Sequence, residues 1–143
     1  MPVNHTSIQL ALRAVVLSLD LLPAAQAWEN IDTNPAVGVP YVEEDYVPAT
    51  VALLGLTPSG YVETRGLYMI RWYGVANSGL GDLTAGVDAL LALFPPESTI
   101  VAATGEVIRI RGDVAPTRSQ IRQIQPGRAM IAVTIPWRIY TDA

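Results

Sequence analysis

The chain has 143 residues, half of them apolar, with no cysteine, one histidine and a net charge of −4. These values fit one domain spanning residues 1–143 with a substantial core, and they exclude disulfides, thiolate metal centres and cysteine nucleophiles. They also argue against a protein that coats nucleic acid non-specifically, which would carry a basic excess.

All nine cationic side chains are arginine. That choice fits GC-rich codon usage, and it equally fits planar, bidentate pairing at subunit contacts. The lone His5 lies close to the start of the chain, which disfavours His-based metal or triad chemistry.

In chain order, Thr6 and Gln9 have capping-box spacing. Ile8, Leu12, Val15, Leu19 and Leu22 recur at helical offsets, which predicts one amphipathic helix of about four turns ended by Pro23. The stretch VVLSLDLLPAAQA resembles a secretory apolar region with a cleavage pattern at Ala25 and Ala27. Asp20 interrupts it and only Arg13 precedes it, so it reads as part of a soluble protein made inside the cell. No apolar run approaches the roughly 18–20 residues of a membrane span. Trp28 and Ile31 suggest a short extended piece, and Asn34-Pro35 with Gly38 a turn.

Tyr41 to Leu54 reads as extended, broken in its middle by Glu43, Glu44, Asp45 and Pro48. Three adjacent acids need partners or water. They mark either a solvated strand edge or bulge, or an acidic patch facing arginines of a neighbouring subunit. Gly55 to Gly60 is a turn cluster, so two apolar runs form a hairpin with a long tip. The second run, Arg65 to Tyr73, is apolar or amphipathic on both faces and predicts a central strand covered on both sides. A loop from Gly74 to Gly81 leads to a second helix with Leu83, Val87, Leu90, Leu91 and Phe94 on one face. Asp82 is its expected cap and Pro95-Pro96 its end.

Ile100 to Ala103 and Val107 to Arg111 predict two short strands across Thr104-Gly105, with Ile108 and Ile110 on one face and Arg109 and Arg111 on the other. Gly112 to Pro126, with Arg118 and Arg122, reads as a long polar loop. Ala129 to Tyr140 alternates strictly, with Ile131, Val133, Ile135, Trp137 and Ile139 on one face. Pro136 places that strand near an edge, or bulged. The expected fold class is α+β, a mainly antiparallel or mixed sheet with two amphipathic helices packed on it.

No segment carries a catalytic pattern. The glycines before Asp82 lack a lysine, and Asp82 itself would repel an anion there. Ser59, Ser78 and Ser98 have no histidine partner by any motif. Glu106 and Asp113 lack the spacing of a metal loop. The Arg111-Gly112-Asp113 triplet reads as a strand end entering a turn. We expect no enzyme activity, no cofactor and no metal.

From Arg65 to Pro96 the chain resembles the tail terminator (tail completion) proteins of long-tailed, non-contractile bacteriophages and prophages. The shared pattern is Arg65-Gly66-Leu67-Tyr68, an alternating strand to Tyr73, the loop Asn77 to Gly81, the helix Leu83 to Phe94, and Pro95. The opening helix with Ala27 to Asn30, the NPAVGVPYVEEDYVPA stretch, the GEVIRIRG strand and the long closing strand fall in the same order. The loop after Tyr73 departs from the pattern in lacking a proline.

The resemblance implies a structural virion protein. It would form a ring, usually a hexamer, that caps the tail tube, ends tube polymerisation and presents the head-tail joining surface. Its partners would be further copies of itself, the tail tube protein and a head-tail connector or neck protein. DNA would pass through the lumen without sequence-specific binding, and no membrane would be involved. The protein would reside at the tail neck of the virion, and in the host cytoplasm during assembly.

A closed ring needs different patches on the two sides of each subunit. Glu43, Glu44 and Asp45 on one side, and Arg109, Arg111, Arg118, Arg122 and Arg128 on the other, are the candidate pair. The alternatives are another neck or tail-completion protein, and a non-phage α+β module that binds a ligand on its sheet.

Overall fold

The computed structural model describes residues 3–23, 25–28, 39–54, 61–75, 81–125 and 128–142. The elements run α1 (His5–Leu17), β1 (Ala25–Ala27), β2 (Tyr41–Leu54), β3 (Tyr61–Val75), α2 (Gly81–Ala92), β4 (Thr99–Val101), β5 (Val107–Ile110), β6 (Thr117–Arg118), β7 (Arg122–Gln125) and β8 (Arg128–Asp142). Among the described residues they form one sheet of eight strands in the order β1-β2-β3-β8-β5-β4, with β6 and β7 also paired to β8. Only β1 and β2 run parallel, so the sheet is mixed and mainly antiparallel, and the α+β expectation holds.

Period-2 alternation sorts the long strands. Val42 of β2, Tyr68, Ile70 and Trp72 of β3, and Ile131, Val133, Ile135, Trp137 and Ile139 of β8 point to one face, and all are buried. Ile8, Leu12 and Val16 of α1 and Leu83, Val87 and Leu90 of α2 join them, with Phe94 just beyond α2, in one core cluster. The helices therefore cover a single face. The other face of β3 carries Leu67, Met69 and Arg71 and remains half-exposed within the chain. The expectation of a strand covered on both sides is met in part: among the described residues the helices cover one face of β3, while on the other Glu63 and Tyr73 are buried and Leu67, Met69 and Arg71 are partly exposed.

Three further expectations are revised. The cap of α1 is Asn4, whose side chain accepts from the Ser7 amide, while Gln9 is drawn to a partner on the sheet. The helix stops at Leu17 and Ser18, where the Ser18 hydroxyl bonds the Val15 carbonyl, well before Pro23. The Gly112 to Pro126 stretch contains β6 and β7, which zip onto β8.

Pro136 also sits in an inner strand with no break in the β3–β8 register. Its carbonyl accepts from the Arg111 amide. The amide position of a strand residue points the same way as its carbonyl. The missing donor of Pro136 therefore faces Arg111, so that pair keeps one of its two bonds and the β5–β8 ladder ends beside it at Ile110. The expected turn at Asn34 to Gly38, Ile31, the hairpin tip 55–60, the loop 76–80 and the Asp82 side chain lie outside the described residues.

Gly66 has a steric reason. A Cβ there would sit 2.7 Å from both Trp137 Cε2 and the Val47 carbonyl oxygen. The fully buried Trp137 ring crosses the strand at that point. Gly66→Ala is expected to cost about 1–3 kcal/mol through overpacking, read as a lowered urea midpoint with an unchanged slope.

Candidate assembly surface

The acidic trio is divided by the pleat of β2. Glu44 turns to the helix side, where only 3% of the residue is exposed. Arg13 of α1 reaches it through Nε at 3.0 Å and Nη2 at 2.5 Å, Gln9 donates at 2.9 Å, and the Tyr68 hydroxyl donates to its second oxygen. Burial pushes the Glu44 carboxyl up. The hydrogen bonds from Arg13, Tyr68 and Gln9 and the Arg13 charge outweigh it and hold the group below its ordinary value. Arg13 also lies over the Trp28 ring at 5.1 Å. This cluster ties α1 to the sheet.

Glu43 and Asp45 point to the open face and meet Arg71 of β3, at 2.9 and 2.6 Å. Glu43 also accepts from Tyr73 at 3.1 Å. Burial and the nearby Glu43 charge push the Tyr73 phenol up to about 12. Tyr73 stacks on Tyr41 with centroids 4.3 Å apart, and the buried Arg128 lies over Tyr41 at 4.9 Å. One end of the open face is therefore a continuous chain of acid, arginine and aromatic groups. Arg71, Tyr73 and Tyr41 were not singled out as site residues from sequence.

The pairing depends on a register shift between Pro48 and Thr50. Near the tip, Leu54 opposes Tyr61, a residue-number sum of 115; beyond the shift Glu43 opposes Arg71, a sum of 114. Without that bulge, Glu43 would oppose Trp72 on the helix side.

The other end of the open face carries a row of cations. Arg65 of β3 opposes Arg138 of β8, which opposes Arg109 of β5. Tyr140 lies beneath the last two, 5.5 Å from Arg138 and 5.9 Å from Arg109. Arg65 bonds the buried Glu63, and Arg138 stands 4.0 Å from Glu97. The Arg111-Gly112-Asp113 triplet is indeed a strand end. Arg111 holds Asp113 through two bonds of 3.1 and 2.7 Å, and the guanidinium keeps that carboxyl far below the usual range.

Of the remaining expected contact residues, Arg118 stands 3.6 Å from Asp88 at the surface, and Arg122 is exposed on β7. The structure thus brings Glu43 and Asp45 together with Arg71, not with Arg109, Arg111, Arg118, Arg122 or Arg128 of the same chain. Among the described residues no group of three or more potential metal ligands clusters, and no helix is long and apolar enough to cross a membrane.

Among the described residues the sheet carries both helices on one face and charged networks on the other, and it ends in β1 and β4. The sequence model described as phage tail terminator protein matches residues 7–137, and the chain belongs to that family of phage tail structural proteins. One solved chain is 16% identical, covers 96% of both chains and superposes with a TM-score of 0.71. A chain of the virion of a native gene transfer agent particle is also 16% identical, covers 94% of this chain and 95% of its own, with a TM-score of 0.61. At that identity both establish the fold. No match was found among curated proteins.

The Glu44 cluster yields a pH prediction. Folded Glu44 releases its proton more readily than the unfolded chain, whose ordinary value is 4.5. Its contribution is therefore complete above about pH 4.5 and is lost as pH falls through the lower folded value. Arg13→Ala, which strands the buried carboxylate, is expected to cost about 3 kcal/mol at pH 7. In urea titrations its penalty should shrink as the pH falls below the ordinary value of 4.5, since the protonated carboxyl no longer needs the arginine.

Proposed function

We propose that this tail protein caps the tail tube as a closed ring of identical subunits, ending tube growth and offering its far surface to the head-tail connector or neck protein. Membership of the tail terminator family over residues 7–137 carries this reading. The subunit geometry supports it. An open sheet with different strands at its two edges offers unlike surfaces on its two sides, as a head-to-tail ring contact requires. On this reading the chain is one domain, the ring is a hexamer, and DNA passes through it without base recognition. The protein works at the neck of the virion after assembling in the host cytoplasm.

Among the residues expected at subunit contacts, Glu43, Asp45, Arg109, Arg118 and Arg122 are the ones we assign to contacts, since they remain accessible, whereas Arg111 is engaged by Asp113. Glu44 and Arg128 are buried and act inside the subunit.

Light scattering after gel filtration, over a concentration series and at two salt strengths, tests the ring. The expected particle is near six times the 15.4 kDa chain. A fall in mass at high salt is expected where exposed charges contribute. A species that stays monomeric in solution and on purified tail tubes contradicts the reading.

A further inference from the structure

The two edges of the sheet are suited to each other. At one edge lies β4, whose partner on its inner side is β5; at the other lies β1, paired inward to β2. Among the described residues neither has a strand on its outer side. The direction of the free groups on β4 is fixed. The Ser98 carbonyl accepts from Ile110, and the Ala102 amide donates to Glu106, so the even-numbered residues face β5. The amides and carbonyls of Thr99 and Val101 therefore point outward, and Val101 is 67% exposed.

Direction agrees as well. Four antiparallel steps separate β2 from β4, so β4 runs the same way as β2, and β1 is parallel to β2. The Thr99 row crosses β3 at Arg65 and the Ala27 row crosses it at Arg71, six residues further along, so rotation about an axis inclined to the strands, as in a barrel, brings β4 of one copy beside β1 of the next, in parallel.

Polarity and charge match across that junction. A groove of about 740 Å³ lies between α1 and β4, and Leu10, Ala11, Ala14, Val101 and Ala103 in its wall are apolar with no charged neighbour lining it. The segment leading into β1 presents Leu21, 58% exposed, and residues 21–28 carry no charge. On the open face Arg109 opposes Thr99 on β4, and Ala27 opposes Glu43 across β1 and β2. Setting Thr99 against Ala27 lines up Arg109, Thr99, Ala27 and Glu43 in one row. Arg109 and Glu43 then stand three strand spacings apart, about 14 Å, with only short side chains between them. An extended arginine and glutamate meet over that span.

We propose that β4 of one copy adds to β1 of the next, so that the sheet continues from subunit to subunit. Leu21 enters the groove beside α1, and Arg109 faces Glu43 of the adjoining copy. The proposal rests on the ring reading above, and it names the surfaces that join. Main-chain hydrogen bonds supply the contact, the groove adds apolar burial, and the Arg109–Glu43 row fixes register.

The absence of native cysteine makes the test clean. Thr99→Cys and Ala27→Cys are placed in one chain, assembled with tail tubes present, and oxidised. The expected result is a ladder of disulfide-linked multimers, and a single linked dimer when the two single variants are mixed. A ring seen by microscopy that yields no ladder overturns the edge-to-edge contact and leaves the ring intact. Failure to form any ring on the tubes, with the unsubstituted chain as well, overturns both.

Val101→Pro provides a second measurement. It removes an outward donor while leaving the β4–β5 ladder bonds in place. It should lower ring yield at least tenfold while the circular dichroism of the subunit stays native. Unchanged assembly by this variant contradicts the proposal.

Discussion

The ladder between β3 and β8 is the constraint on which the rest of the structure depends. Fifteen consecutive residues, Tyr61 to Val75, pair in unbroken register with Arg128 to Asp142. Because side-chain direction alternates with strict period two, that register decides at once which residues enter the core. It places Tyr68, Ile70 and Trp72 beside Ile135, Val133 and Ile131, and so makes the apolar floor on which α1 and α2 lie. Every smaller strand except β1 and β4 is attached directly to one of these two. Burial of this floor supplies the main driving force for folding, and the polar clusters determine how the helices sit on it.

Much of the fold was legible in the sequence, for physical reasons. Tyr41 to Leu54 was read to its true bounds, and the alternation in Ala129 to Tyr140 gave both faces of β8, because a sheet wet on one side leaves a period-2 record. The same rule misled at β3. Leu67 and Met69 look like core positions, yet they belong to the face that neither α1 nor α2 covers, and they stay partly exposed. Hydrophobicity reports that a residue avoids water without saying whether the cover comes from its own chain. Pro136 misled for the opposite reason. Proline excludes a ladder bond on one side only, and here that side meets the junction between two short strands.

The charged residues were legible as a set and not as pairs. Glu43, Glu44 and Asp45 stood out, but their partners follow from two facts invisible to local pattern: the pleat sends Glu44 to the opposite face, and the bulge after Pro48 moves the register by one residue. The first gives Glu44 to Arg13, 31 positions away. The second gives Glu43 and Asp45 to Arg71. Most of the charge that suggested an intersubunit patch is thus already compensated within the chain. What remains for the proposed assembly is narrower: the partly exposed Glu43, the row Arg65, Arg138 and Arg109 over Tyr140, and two unlike strand edges.

The capping role is tested most directly on growing tubes. Purified tail tube protein is polymerised with and without this chain, and the tubes are measured by negative-stain electron microscopy. The account predicts that the added protein sits as a ring at one end of each tube and that elongation from that end stops. Tubes that lengthen at the same rate at both ends, with no density on either, would contradict it.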